Sequence, residues 1–200
     1  MTDFTYHYDS PLGGITLTGD ENALTGLGFD RRKNFAGTLV PAHAESSLPV
    51  FREAIRWLDI YFSGRNPGFT PPLNMRTSPF RKTVWEIMLT IPYGKTMTYG
   101  EIARIIARDR GLTRMAAQAV GGAVGHNAIA LIIPCHRVVG TDGSLTGYGG
   151  GIDKKLKLLM LEHADMTGLH MPKERTAASF CKGISRYDMI RMEKNSGGHR

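Results

Sequence analysis

Ile132-Ile-Pro-Cys-His-Arg-Val-Val-Gly140 is the stretch on which the fold and chemistry of this 200-residue chain depend. An apolar run that starts at Ala128 leads into it, and such a run predicts a buried strand ending at Pro134. Cys135 and His136 follow directly, a thiol beside a nitrogen base. The thiolate is the reactive form of cysteine, and a base within hydrogen-bond reach can generate it. Adjacency alone is also typical of a packed structural cysteine, so the pair by itself assigns no function.

Helices are predicted on both sides of this stretch. Upstream, Thr98-Tyr-Gly-Glu101 has the form of a capping box, which begins a helix. The turn Asp109-Arg-Gly-Leu-Thr113 separates this helix from a second one, predicted over Arg114–Val124. Two short helices joined by a glycine-containing turn are typical of a helix-turn-helix, although many helical hairpins bind no DNA. Downstream, the apolar spacing predicts a last helix over Asp153–His163.

The N-terminal third has a different pattern, in which β-branched and aromatic residues alternate with tight turns. Strands are predicted over Thr5–Tyr8, Gly14–Thr18 and Ala23–Phe29, and the short turns between them favour an antiparallel meander. An apolar period of 3.6 residues predicts a helix over Leu48–Phe62. No group of reactive side chains occurs here, which indicates a structural role. The glycine- and proline-rich segment 64–72 is typical of a linker.

These patterns predict an α+β protein with two domains and a tail. Residues 1–73 are the small N-terminal α/β structural domain with an antiparallel sheet. Residues 74–165 are the mainly helical domain, which carries the helix-turn-helix and the candidate nucleophile, and residues 166–200 are a basic tail. The hydrophobic fraction of 42% is ordinary for a globular protein. No apolar run approaches the roughly 18 residues needed to span a bilayer, and the N-terminus has no signal-peptide pattern. We expect a cytoplasmic, nucleoid-associated protein.

The net charge and the number of cysteines further limit the class of protein to which this chain can belong. The formal net charge of +7 favours a polyanionic partner, because neutralising phosphates releases counterions. The two cysteines, Cys135 and Cys181, are too few for a disulfide framework or a cysteine-rich zinc site. We therefore expect no metal and no cofactor, and we interpret Cys181 in the tail as a bystander.

The segment around Cys135 closely resembles the O6-alkylguanine-DNA alkyltransferases, also called methylated-DNA–protein-cysteine methyltransferases. The family's hallmark Pro-Cys-His-Arg-Val is matched at residues 134–138. Further matches occur in the same order, at Ser78-Pro-Phe80 with Val84-Trp85, Ile91-Pro-Tyr-Gly94 with Thr98-Tyr99, Ala119-Val-Gly-Gly122, and Leu145-Thr-Gly-Tyr148 with Gly150-Gly151. The resemblance is tight from Ser78 to about Glu162 and loose in the N-terminal domain. It implies a ribonuclease H-like N-terminal sheet and a winged helix-turn-helix-like motif.

The resemblance implies a set of catalytic residues. Cys135 would attack the alkyl group, His136 would act as its base through a water, and Glu162 would orient the histidine. Asn127 matches the asparagine that holds the turn between the recognition helix and the active-site segment, and Arg137 would anchor the active-site loop. By themselves, a helical glutamate and a turn asparagine would be interpreted as a surface group and a local cap.

The resemblance also implies contacts with double-stranded DNA, approached through the minor groove by a monomeric protein. The alkylated guanine would be flipped out of the stack before it is attacked. Tyr99 would rotate the backbone phosphate and reach the flipped base. The remaining contacts would come from the recognition helix, at Arg114, Gln118, Ala119 and Gly121, and from the base pocket, at Val138, Tyr148 and Gly149.

Three departures from the family pattern bear on these contacts. Gln118 stands where relatives usually carry an arginine that fills the gap left by the flipped base, and Arg114 is placed to compensate. The segment between Tyr99 and Ala119 is a few residues longer than usual, so a wider turn is expected. Ala128 and Ala130 stand where some relatives carry proline.

Three other classes of protein are compatible with parts of the pattern. A lesion-binding relative that does not repair would lack the cysteine, which this chain keeps. A transcription regulator that senses its own methylation would need further domains. A cysteine hydrolase unrelated to DNA would leave the helix-turn-helix unexplained, and salt-dependent DNA binding distinguishes it from a repair protein.

Overall fold

The computed structural model describes residues 3–30 and 48–172. The interpretation of Cys181, and of the tail from residue 173 onward, lies outside the described residues. Within the described ranges, no helix is both long and apolar enough to cross a membrane.

The chain begins with the antiparallel meander that the sequence predicts. Its strands are β1 (Phe4–Ser10), β2 (Gly13–Gly19) and β3 (Leu24–Phe29), in the order β1-β2-β3. Alternate residues of β2 point to one face, so Ile15 and Leu17 are both buried. Helix α1 (Pro49–Phe62) has Pro at its first position and covers this face with its apolar side.

The other β3 edge is paired with segments that lie far away in the sequence. Leu24 donates its N–H to Pro72 O at 2.9 Å, and Leu27 donates to Ala128 O at 2.8 Å. Ala130 in turn donates its N–H to Leu27 O at 2.7 Å. The N-terminal sheet therefore supports the segment that leads to Cys135.

Three helices follow, of which the second and third correspond to the two helices of the predicted helix-turn-helix. They are α2 (Pro79–Leu89), α3 (Tyr99–Asp109) and α4 (Ala117–Gly125), with the short strand β4 (Met97–Thr98) before α3. The capping box at the start of α3 is confirmed, because the Thr98 hydroxyl accepts the Glu101 N–H at 3.1 Å and Glu101 accepts the Thr98 N–H at 2.7 Å.

Helix α4 begins later than the sequence predicts. Ala116 has extended backbone angles and is the N-cap, so Arg114 lies in the turn rather than in the helix. The N–H groups of Ala119 and Val120 both bond to Ala116 O, which fixes the first helical turn at that point. The expected start at Arg114 was wrong because no capping side chain marks the boundary in this run of small residues.

The apolar run 128–133 is not the strand that the sequence predicts. Only Ile129 makes an isolated bridge, to Leu27, and the rest forms tight turns. Leu131 has a φ of 68°, which is incompatible with an extended strand. The run is apolar because it is buried, and burial does not distinguish a strand from a packed turn.

The chain then forms a single turn of 3-10 helix (Cys135–Arg137), strand β5 (Val138–Val139) and helix α5 (Ile152–Leu161). Strand β5 pairs in parallel with β4, which fixes the loop after the cysteine against the start of α3. One apolar core extends from Ile15 in β2 to Leu158 in α5, so both halves of the chain are packed together.

Candidate active site

Cys135 is the first residue of the 3-10 helix and is almost completely buried. Its backbone N–H donates to Ile133 O at 2.8 Å, which closes the turn immediately before it. Asn127 holds the same turn from the inside. Its side-chain amide donates to Ile133 O at 2.8 Å, and its amide oxygen accepts the Ile129 N–H at 3.0 Å. Two backbone groups of a buried, non-repetitive segment are satisfied in this way by one side chain.

His136 and Glu162 form a fully buried pair. His136 Nε2 lies 2.6 Å from Glu162 Oε1, and both side chains have no exposed surface. Arg137 approaches the same carboxylate from its other side, with Nε 2.8 Å from Oε2 and an Nη2 contact of 3.1 Å to Oε1. Because each carboxylate oxygen faces a cation or ring nitrogen, the buried charge of Glu162 is compensated.

Local backbone geometry places Glu162 in this position. Glu162 is the C-cap of α5, and its Oε2 accepts the Gly94 N–H at 3.0 Å. Gly94 has a φ of 72°, and a β-carbon there would lie 2.7 Å from Glu162 O. Only glycine fits this close approach. Arg137 Nη1 donates to Ile91 O at 2.7 Å, so the same connection between α2 and α3 is held twice.

The pKa values of this pair are displaced by burial and by the neighbouring charges. Burial lowers the pKa of His136 below its usual range, against the opposing pull of Glu162. Burial alone would raise the pKa of Glu162, but the charges and hydrogen bonds of His136 and Arg137 hold it well below its usual range. At neutral pH the pair therefore consists of a neutral imidazole and a carboxylate.

The hydrogen bond to Glu162 also fixes the tautomer of His136. A carboxylate only accepts, so the proton of the neutral ring lies on Nε2. Nδ1 then carries the lone pair, and it is buried without a hydrogen-bond partner. A buried acceptor of this kind is suited to taking a proton from a neighbouring group directly or through one water.

Tyr61 belongs to this site, although sequence reasoning did not select it. Its hydroxyl donates to Glu162 Oε1 at 2.7 Å and lies 3.2 Å from His136 Nε2. Tyr61 is on the buried face of α1, one turn after Leu58. A tyrosine at an apolar position of a helix needs a partner for its hydroxyl, and this was the available signal.

Lys155 is a second residue that sequence reasoning missed. Its Nζ is buried and donates to Val138 O at 2.5 Å and Thr146 O at 2.7 Å. Burial lowers its pKa to about 8, while Cys135 opposes this shift. Lys155 precedes the buried Leu158 and Leu159 by three and four residues, and a lysine on such an apolar stripe was the available signal.

Tyr99 lies near the cysteine, and Tyr148 packs against the histidine that follows it. Tyr99 is the first residue of α3, and its hydroxyl donates to Thr146 O at 3.3 Å. Burial, with Cys135 nearby, raises the pKa of Tyr99 to about 12, so its hydroxyl stays protonated at neutral pH. The Tyr148 ring meets the His136 ring edge-on, with centroids 6.4 Å apart.

The residues expected to contact DNA lie on a different, exposed surface. Gln118 and Ala119 are exposed at the start of α4, and Arg114 is exposed in the turn before it. Gly121 faces the Tyr99 ring, since a β-carbon there would lie 4.0 Å from it. The N-terminal part of α4 therefore borders the tyrosine that lines the cysteine site.

The structure thus brings together Cys135, His136, Arg137, Glu162 and Asn127, with Tyr99, Tyr148 and Val138 around them. Gly149 is exposed in the loop that follows Tyr148. Arg114, Gln118 and Ala119 are not part of the buried group. Among residues 3–30 and 48–172, no three His, Cys, Asp or Glu side chains are arranged to hold a metal ion.

Two family models match the chain. The model described as 6-O-methylguanine DNA methyltransferase, ribonuclease-like domain, matches residues 5–75. The model described as 6-O-methylguanine DNA methyltransferase, DNA binding domain, matches residues 79–164. The expected α+β class, with a ribonuclease-like sheet followed by a helical DNA-binding domain, is confirmed.

Curated relatives and solved structures agree with these matches. The methylated-DNA–protein-cysteine methyltransferase of Mycobacterium tuberculosis is 44% identical over 170 residues, which cover 80% of this chain and 97% of the relative. That of Methanosarcina barkeri is 44% identical over 158 residues, with 79% and 96% covered. A crystal structure of Mycobacterium tuberculosis OGT in complex with DNA has a TM-score of 0.67 at 42% identity, over 80% of this chain and 92% of that one. The chain therefore belongs to the 6-O-methylguanine DNA methyltransferase family.

Proposed function

We propose that this protein repairs DNA directly, by moving the alkyl group of O6-alkylguanine onto Sγ of Cys135. The observation that carries the proposal is the buried His136–Glu162 pair, whose histidine directly follows the cysteine and keeps Nδ1 as an acceptor. The relatives named above support the substrate class, since they are methylated-DNA–protein-cysteine methyltransferases. O4-alkylthymine, which carries its alkyl group on a similar exocyclic oxygen, is a second substrate.

The approach to DNA is made by the exposed start of α4. We assign Arg114, Gln118 and Ala119 to contacts with the duplex through the minor groove, with Gly121 allowing close approach. The DNA complex of the Mycobacterium tuberculosis relative supports a DNA partner. The target nucleotide leaves the stack, because its alkyl group is otherwise out of reach of a buried thiol.

The flipped base is held by the groups around the cysteine. The carbonyl oxygens of Cys135 and Val138 accept the guanine amino group, while the Tyr148–Gly149 loop covers the alkylated oxygen. Tyr99 stays protonated, as its raised pKa of about 12 permits, and redirects its hydroxyl hydrogen bond from Thr146 O to the base.

His136 removes the thiol proton at Nδ1 through one water, and Glu162 holds the ring in the correct tautomer. The thiolate of Cys135 forms a carbon–sulfur bond while the bond from the alkyl carbon to O6 breaks. The electron pair leaves with the base, which takes up a proton as guanine. Holding the two partners in contact supplies part of the rate enhancement, up to about 7–11 kcal/mol in the best oriented cases.

The product is a thioether, which has no leaving group comparable to guanine. Water does not regenerate the thiol, so each protein molecule acts once. A monomer with no cofactor suffices for this chemistry, because the acceptor, the base and the orienting carboxylate are all in one chain. We place this activity in the cytoplasm, at the nucleoid.

The test is intact-protein mass spectrometry after incubation with an oligonucleotide that contains one O6-methylguanine. We expect the mass of one methyl group in place of a hydrogen, located on Cys135 by peptide mapping and absent in Cys135→Ser. Retention of the lesion oligonucleotide without a gain in mass would instead identify a lesion-binding protein. A protein that shows neither gain nor salt-dependent DNA binding would be a thiol enzyme of another class.

A further inference from the structure

One side chain of the cysteine site comes from the N-terminal half of the chain. Tyr61, in α1, donates its hydroxyl to Glu162 Oε1 at 2.7 Å and lies 3.2 Å from His136 Nε2. The side chain is completely buried, so no water competes for this bond. The rest of the cluster, His136, Arg137 and Glu162, comes from the C-terminal half.

The Tyr61 ring is held so that its hydroxyl has one position. It stacks on Trp57, with centroids 5.0 Å apart and an interplanar angle of 10°. Tyr93 contacts it edge-on at 6.1 Å. A ring fixed in this way loses little further freedom when its hydroxyl donates to the carboxylate, which makes it an effective donor.

We propose that Tyr61 is a positioning residue for alkyl transfer, which holds Glu162 so that the imidazole of His136 keeps Nδ1 as its acceptor. This inference rests on the proposed function and adds to it that the ribonuclease-like half contributes to the chemistry. Tyr61 acts through Glu162 and touches neither the thiol nor the base.

The physical effect of the hydroxyl follows from the hydrogen bonds that Oε1 accepts. Oε1 faces Tyr61, His136 Nε2 and Arg137 Nη2. Each donor stabilises the carboxylate and reduces its pull on the imidazole proton. Without the tyrosine hydroxyl, the Glu162 carboxylate attracts the proton on His136 Nε2 more strongly. The His136–Glu162 pair then takes up a further proton at a higher pH.

Other ionisable groups also face this pair and enter any pH profile. They are Tyr93 in the connection between α2 and α3, Arg137 and Cys135 in the 3-10 helix, Tyr148 in the loop after β5, and Lys155 in α5. A change confined to Tyr61 leaves all of them in place, so the difference between variant and wild type reports the tyrosine hydroxyl alone.

The experiment compares Tyr61→Phe with wild type in the rate of methyl transfer from a lesion duplex in a single turnover. We expect the rate constant to fall about 10-fold, the lower end of the effect of one hydrogen bond to a charged group. The midpoint of the acid limb of the rate profile should move to higher pH. The Kd for the lesion duplex, measured with Cys135→Ser in both backgrounds, should not change.

Tyr8→Phe is the matched control. The Tyr8 hydroxyl also donates to a carboxylate of α1, Asp59 Oδ1 at 2.8 Å, but this bond is exposed and does not involve the cluster. We expect its rate and pH profile to equal those of wild type. Equal rates and superimposable profiles for Tyr61→Phe and Tyr8→Phe would overturn the proposal.

The double variant Tyr61→Phe/Glu162→Gln separates a positioning role from general support of the fold. If Tyr61 acts through Glu162, the double variant reacts no more slowly than Glu162→Gln alone. Independent, multiplied losses would contradict the proposal. A wild-type protein that takes up no methyl group would refute the proposed function itself, whereas methylation with an unchanged Tyr61→Phe refutes only the role of Tyr61.

Discussion

The buried cluster around Glu162 and the exposed start of α4 illustrate two ways of building a functional surface. In the cluster, Tyr61, His136, Arg137 and Glu162 are buried and every oxygen of the carboxylate is bonded. At the start of α4, Gln118 is exposed and free to change without disturbing the core. In the buried cluster the same side chains serve both the chemistry and the stability of the fold. At the start of α4 the side chains expected to bind DNA contribute little to stability. Substitutions in the two regions should therefore differ in kind as well as in size.

Glu162→Gln is expected to have the largest effect, because it breaks a buried ion pair and removes the group that orients His136. The rate of methyl transfer should fall at least ~100-fold, as for loss of an oriented general base. The free energy of unfolding should fall by about 3–5 kcal/mol, since Arg137 loses its charged partner. Single-turnover kinetics and urea denaturation measure the two effects. Glu86→Gln, an exposed carboxylate on α2, is the control and should change neither.

Asn127→Ala tests whether the turn before Cys135 depends on one side chain. The substitution leaves the Ile129 N–H without its partner and removes one of the two hydrogen bonds that Ile133 O accepts, so the free energy of unfolding should fall by about 1–3 kcal/mol. The transfer rate should fall as well, because the thiol is no longer fixed. Asn66→Ala, which removes an exposed amide from a surface turn, provides the comparison. Equal stability of the two variants would show that the turn does not depend on the Asn127 side chain.

The cluster should also make stability depend on pH. The folded-state pKa of His136 is lowered, so the unfolded chain takes up a proton on this ring first as the pH falls. Its contribution is present above about pH 6.5 and is lost below, at up to about 1.4 kcal/mol per pH unit. The lowered pKa of Glu162 adds a further loss at more acidic pH. The free energy of unfolding, measured by denaturation across this pH range, should depend more steeply on pH for wild type than for His136→Gln. His126→Gln, which removes an exposed histidine, is the matched control.

Gln118→Arg should have the smallest effect on the stability of the protein, and its main effect should be on DNA binding. Stability should stay within about 0.5 kcal/mol, as for most surface substitutions. Affinity for lesion DNA should rise, because an arginine fills the gap left by the flipped base, and the salt dependence of log K should steepen by up to about 0.9 for one added cation within the DNA. Asn22→Arg adds the same charge in the turn between β2 and β3, and fluorescence anisotropy at several salt concentrations compares the two. Identical slopes would remove Gln118 from the DNA surface.

Local sequence patterns are sufficient to predict part of the fold. The meander and the α3 capping box follow from alternation and from a threonine–glutamate spacing, and both are confirmed. The prediction is wrong at residues 128–133, where the apolar run forms buried turns. Asn127 and β3 provide the hydrogen-bond partners that the backbone of this run would otherwise need from a neighbouring strand. The partners in β3 lie far away in the sequence, so no local pattern predicts them.

The residues of the candidate site could likewise be predicted only where a local pattern or the family resemblance pointed to them. The cysteine and histidine are adjacent in sequence, and the family resemblance supplied Glu162 and Asn127. Tyr61 and Lys155 had only a weak signal, a polar group on an apolar helical face, which packing alone often explains. Their contacts join residues from separate elements, so their partners could be identified only in three dimensions.

The pairing of β3 has a consequence for synthesis of the chain. Its outer edge bonds to Ala128 O and Ala130 N, which leave the ribosome long after β3 itself. Until then the nascent sheet exposes unpaired backbone groups, and an open edge of this kind can recruit strands from other chains. Completion of the N-terminal sheet therefore coincides with arrival of the segment that carries the nucleophile, so a truncated chain is at risk of aggregation before it can be reactive.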